Sequence, residues 1–372
     1  MDSPEAAFWG KIRSALEQGK TRVEVAEMDI EALASPRFQS AFTVAVQLIF
    51  PSLTMGLAGF LAVMESLWIV TRAEPFRGLY TFWVRIFAVV FALGVASLVL
   101  IGGQLGWDWT FLQTAISMGL LAGLVAAMLS TRRLGDLPHF AASLLTAVGA
   151  VAVTAWLVAV DSRAGRLAAG FDVRFAYTAF SAYLVTSLGI GAASAWRLLK
   201  RPDEAESALA LRMAVGMVAI TAPLVFLTID LAPHADRPHA VVSAAELTGW
   251  TVHAAATLGL ALTAVALSTG GFGLRPGGFE RSRAFLRACI GMGALGLVAL
   301  LTGWIAGRSS PNPLLGAVPH AVGWSPGLAM GAALTFGVGA VWILRMIARG
   351  PKDSPDEAAQ TVPHGPRSAS TV

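Results

Sequence analysis

Nine runs of about 20 or more largely apolar residues dominate this chain. They lie at 41–70, 82–103, 109–130, 138–160, 174–196, 209–230, 241–268, 284–307 and 322–347. A helix needs about 20 such residues to cross a hydrocarbon core of about 30 Å. The runs are too long for barrel strands and lack strict alternation, so helices are expected. The reading is an all-α polytopic membrane protein with nine transmembrane helices. Composition agrees, with 55% hydrophobic and only 13% charged residues in 372. A soluble protein carries about 25% charged residues, so this surface cannot be kept wet. An ordinary soluble enzyme, a disordered chain and a nucleic-acid partner are excluded, although the pI is about 9.6.

Placement of the basic residues sets the expected orientation. The odd-numbered connections and the C-terminal end hold fifteen Lys and Arg residues, among them Arg72, Arg77, Arg132, Arg133, Arg197, Arg201 and Arg349. The even connections hold five: Arg163, Arg166, Arg174, Arg237 and Arg308. The C-terminus is therefore expected in the cytoplasm and the N-terminus outside, in a multi-pass protein of the plasma (inner) membrane surrounded by lipid. Three regions follow: a polar N-terminal extension at 1–37, the nine-helix domain at 38–350, and a disordered tail at 351–372. Residues 6–16 place Phe8, Trp9, Ile12 and Leu16 on one side of a short surface helix; a mobile polar tail is the alternative. No apolar signal region precedes the first span.

Groups able to carry chemistry inside the spans are few, and each is a candidate because burying it is costly. Glu65 lies near the cytoplasmic end of the first helix, within expected reach of the interface. Arg85 is expected one turn into the second helix, where it could pair with Glu65. Glu246 and His253 share one face of the seventh helix, seven residues apart. An imidazole there could ligate a heme iron, relay protons or simply pack against backbone. His139 is expected at the cytoplasmic start of the fourth helix. No metal-ligand spacing, phosphate loop or nucleophile elbow is present, and the one cysteine, Cys289, excludes a disulfide framework. A metal site of protein side chains alone is not expected. These residues leave transporter, channel and redox subunit open.

An ordered series of short motifs narrows the choice. It runs Arg37-Phe38-Gln39, Phe50, Leu53-Thr54-Met55-Gly56-Leu57, Met64-Glu65, Phe82-Trp83 and Phe91 to Ala96. Arg133-Leu134-Gly135 with His139, Val173-Arg174-Phe175, Ser194-Ala195-Trp196, Gly303-Trp304 and Ala348 to Pro351 continue it. The series resembles subunit I of the cytochrome bd quinol oxidases over residues 36–351. The resemblance implies nine helices, two b-type hemes and a d-type heme near the outer face, quinol oxidation at a long outer loop, and reduction of oxygen to water. It also implies a hetero-oligomer with a subunit II-like or second subunit I-like protein.

Several positions depart from what the resemblance implies. The heme-ligating histidine of the first helix falls on Gln47, that of the fifth on Tyr177, and the glutamate ligand of the eighth on Leu301. The acidic residue near the end of the second helix falls on Gly102, and the methionine ligand of the seventh falls at or beside Ala254, next to His253. About ten residues between Asp230 and Val241 replace the quinol loop, which argues against quinone binding. Leucine has no lone pair, and an amide is a poor iron ligand beside an imidazole. Three readings follow. The first is a structural or regulatory subunit I-like component without the usual hemes. The second is a redox-active subunit in which His253 and Tyr177 hold a heme and pass electrons to oxygen or another acceptor. The third is a re-purposed proton or solute transporter using Glu65, Glu246 and His253.

Overall fold

The computed structural model describes residues 36–105, 109–162, 171–231, 244–268, 278–309 and 326–350. Among them are nine long helices: α1 (Pro36–Thr71), α2 (Glu74–Leu105), α3 (Trp109–Ser130), α4 (Asp136–Ser162), α5 (Phe171–Lys200), α6 (Ala205–Leu231), α7 (Ala244–Ser268), α8 (Arg283–Ser309) and α9 (Pro326–Arg349). Each contains or nearly contains one apolar run. Seven, α1 to α7, are long and apolar enough by described length and composition to cross a bilayer. The N-terminal extension, the C-terminal tail and the 232–243 connection lie outside the described residues.

Helices α1 to α4 pack around one apolar cluster that holds Met55, Phe60, Leu61, Met64, Trp83, Phe87, Leu121 and Met128. Helices α5 to α8 surround a second, built from Leu184, Leu188, Val218, Val225, Val252, Ala256 and Met292. Helix α9 leans on α2, where Phe336 stacks against Phe50 at 5.5 Å and packs on Leu93. Small residues bring α1 against α5: a Cβ on Gly56 would strike Thr186, so the two backbones approach as closely as small-residue membrane interfaces allow.

Helix α2 starts at Glu74, eight residues before its apolar run, leaving Arg72 and Ala73 as the whole connection to α1. Arg72 makes this turn with φ 53°, a left-handed conformation rare outside glycine. The helix extends beyond its most apolar run, because Glu74, Arg77 and Gly78 lower the hydropathy of its first turns without ending it. A short 3-10 turn at Thr131–Arg133 and Gly135, with φ 116°, reverse the chain between α3 and α4. The odd connections and the end of α9 meet at one arginine-rich end: Arg201 Nη1 donates to the Arg349 carbonyl at 3.5 Å.

Candidate functional site

Two groups of residues compete for attention. The first lies at the arginine-rich end of α1, α2 and α4. Glu65, about 9 Å along α1 from Thr71, is only 3% exposed, so it does not reach the interface as its position suggested. Its carboxylate Oε1 sits 3.6 Å from Nε2 of His139, one turn into α4. His139 Nδ1 lies 3.4 Å from the Thr131 hydroxyl, and the ring meets Tyr80 edge-on at 5.4 Å. Tyr80 and Ser143 hydroxyls share a buried hydrogen bond of 3.0 Å. Beside them is a cavity of about 50 Å³ lined by Glu65, Trp68, Arg77, Tyr80, Gly135, Asp136 and His139, large enough for a few waters. At the outer side Arg72 Nη1 donates to Asp136 Oδ2 at 2.6 Å, both half-exposed.

The expected Glu65–Arg85 pair does not form. Trp83 points into the bundle, 4% exposed, and Arg85 follows about 200° further round the helix. Arg85 is therefore exposed on the outside of α2, eleven residues into the helix rather than one turn. Sequence position gave the end of the bundle toward which both residues lie, but neither the depth of Arg85 in its helix nor the direction each faces. His139 was legible only as an interfacial histidine, and its partner was not.

The same end carries two buried ion pairs that sequence reasoning counted only as topology signals. Arg197 of α5 pairs with Glu204, which also accepts from the Ser207 hydroxyl at 2.7 Å. The Arg197 guanidinium lies 5.1 Å over the Phe82 ring and fills the space a side chain would take on Gly350, where φ is 83°. Arg212 of α6 pairs with Glu280 in a two-pronged contact, its Nη2 donating to Oε2 at 2.9 Å. Both carboxylates lie in connections; Glu204 is seven residues from its arginine, a spacing that could have found it, whereas Glu280 is 68 residues from Arg212 and no local signal marks it.

The second group holds the positions for which the resemblance implies ligands. Tyr177 is partly buried near the start of α5, against the apolar cluster of α5 to α8, with its hydroxyl directed to Ser181 one turn on. His253 is half-buried, about 14 Å along α7 from Ala244, with its ring 5.5 Å from Phe226. Between α5, α6, α7 and α8 the interior narrows to a cavity of about 20 Å³, lined by apolar side chains, Ser187, Thr263 and Cys289. Gln47, Gly102, Glu246 and Leu301 lie on α1, α2, α7 and α8, but their side chains fall outside the described residues. Among the described residues no three His, Cys, Asp or Glu side chains gather as a metal site.

Comparison with known proteins follows the same line. Residues 35–164 match the family model "Cytochrome bd terminal oxidase subunit I". The chain is 27% identical over 227 residues to the cytochrome bd-II ubiquinol oxidase subunit 1 of Escherichia coli (strain K12), covering 50% of this chain and 44% of that one. It is 32% identical over 78 residues to the cytochrome bd ubiquinol oxidase subunit 1 of Bacillus subtilis (strain 168), covering 21% and 17%. It thus spans less than half the length of these curated relatives. A chain in the structure of bd oxidase from Geobacillus thermodenitrificans superposes with TM-score 0.67 at 15% identity, over 84% of this chain and 98% of that one. That likeness fixes the fold.

Proposed function

We propose a function from one premise, that the chain belongs to the cytochrome bd terminal oxidase subunit I family: it is the subunit I-like component of a cytochrome bd-type membrane complex, without the usual heme sites, acting as a structural or regulatory partner. The observation that carries this reading is the state of α5 to α8. The helical frame is kept, while a tyrosine stands at the fifth-helix ligand position, and among the described residues Phe180, Phe226, Leu184 and Val225 share its apolar cluster. Further along α5, toward the arginine-rich end, the described interior leaves a cavity of about 20 Å³, room for one water. Gln47 and Leu301 add two positions with no good iron donor. The arginine-rich end, by contrast, keeps its charges in built pairs, as a scaffold that still assembles would.

On this reading the arginine-rich end faces the cytoplasm, and the membrane is the plasma membrane. The test is a dithionite-reduced minus oxidised visible spectrum of the purified full chain, alone and with co-purifying subunits. The isolated chain is expected to show no heme band. A b-type band that falls in His253→Ala would overturn the reading in favour of altered ligation. His253 is the one described histidine beside the α5–α8 cluster, and that position is what favours this second reading.

A further inference from the structure

Arg85 has a position that no contact among the described residues explains. It is exposed, while Val84 and Ile86 on either side of it are buried. Arg72 and Arg77 lie 4.8 Å and 5.5 Å from the ring of Trp68. An indole held between two guanidiniums at the end of a span marks the headgroup level. Arg85 comes eight residues after Arg77, about 12 Å deeper along the axis, between the apolar side chains of Phe82 and Val89. A phosphate that meets Arg77 is two helical turns away.

Among the described carboxylates around α2, Glu206 lies against Gly78, and two others face basic side chains. Glu65 faces His139, and Asp136 faces Arg72. Among the described residues Arg85 has no ion pair. A cation inside a span turns toward a bundle interior, a water-filled path or another charged group. Arg85 turns away from its own bundle.

We infer that the outward face of α2 around Arg85 docks a membrane helix of a different polypeptide, and that this helix presents an aspartate or glutamate at the depth of Arg85. The inference rests on the reading that the chain works within a hetero-oligomer, and it names the surface. A second copy does not fit: pairing this face with itself sets Arg85 against Arg85, two like charges in a low dielectric. Ala88 and Ala92, one and two turns further on and also turned outward, leave room for the partner's backbone to approach around the ion pair.

The test expresses the tagged full chain in its native membrane and compares wild type with Arg85→Glu, Arg85→Leu and Arg85→Lys by native electrophoresis and mass spectrometry of the purified complex. Arg85→Glu is expected to lose its partner subunit by about tenfold or more, Arg85→Leu less, and Arg85→Lys least. Exchanging the partner's carboxylate for lysine is expected to restore Arg85→Glu. Arg85 is exposed and has no ion pair among the described residues, so the unfolding midpoint of the purified variant chain is expected to match wild type; a lowered midpoint overturns the inference. A wild-type chain that carries no second polypeptide overturns the hetero-oligomer reading itself. A wild-type complex whose partner stays bound to Arg85→Glu overturns only the surface. So does a partner without an acidic residue at that depth, or a loss of bound anionic phospholipid with the partner retained.

Discussion

At the arginine-rich end, Glu65, Glu204 and Glu280 are each buried and each meet a basic side chain from another element: His139, Arg197 and Arg212. Near the far end of α5 the situation is reversed. Tyr177 lies among Phe180, Phe226 and Leu184, and the polar partner it faces is a serine on its own helix. One end ties helices together through charge; the other fills space with hydrocarbon. Removing one member of a buried pair strands a charge, whereas a tyrosine packed among apolar side chains leaves no charge to strand.

That contrast can be broken by substitution, beginning with the largest effect. Arg197→Ala leaves Glu204 buried beside Ser207 without its cation, and a loss of about 3–5 kcal/mol is expected in denaturant unfolding of the detergent-solubilised chain. A loss under about 1 kcal/mol would mean that water reaches the site and that the charged end is not built as described. Next comes Gly350→Ala. It combines a left-handed backbone position with a Cβ placed on the Arg197 guanidinium, and about 1–3 kcal/mol of destabilisation is expected. An unchanged midpoint would show that the α9 terminus moves freely against α5.

Tyr80→Phe sharpens the comparison within the first bundle. It removes the partner of a Ser143 hydroxyl that is 1% exposed, at an expected cost of about 1–2 kcal/mol. A double-mutant cycle of Glu65→Gln with His139→Asn should return a coupling of at least about 0.5 kcal/mol if the two groups act as a pair; additive effects would dissolve that pair. The smallest effect belongs to the other end. Tyr177→Phe is expected to change stability by less than about 1 kcal/mol and to leave the visible spectrum of the purified chain unaltered. A spectral shift in that variant would reverse the contrast, because it would make the tyrosine a ligand.

Much of the fold was legible because a long apolar run is difficult to misread: all nine runs coincide with helices. The boundaries erred where a helix runs beyond its most apolar stretch. The segment from Glu74 to Thr81 contains Pro75, Arg77 and Gly78, so hydropathy passes over it, yet Pro75 sits in the first turn, where no intrahelical N–H is needed. The sites were less legible. Depth can be counted from a span boundary, but azimuth depends on which face a neighbouring helix covers. That is why Glu65 was matched with Arg85 rather than with His139. The ions of Glu204 and Glu280 were invisible for another reason. A positive-inside count treats each arginine as a topology marker and ignores the carboxylate that will fold over it, seven residues away for Glu204 and 68 for Glu280.

The two-residue connection between α1 and α2 has a consequence for how the protein is made. With only Arg72 and Ala73 at the bend, the two helices cannot enter the bilayer as independent passengers separated by a loop that waits outside. Insertion as a single hairpin of antiparallel helices is the expected outcome of so short a bend. Lengthening that bend by a flexible dozen residues would uncouple the two insertion events. The damage would appear in membrane topology during biogenesis before it appeared in the stability of the finished bundle.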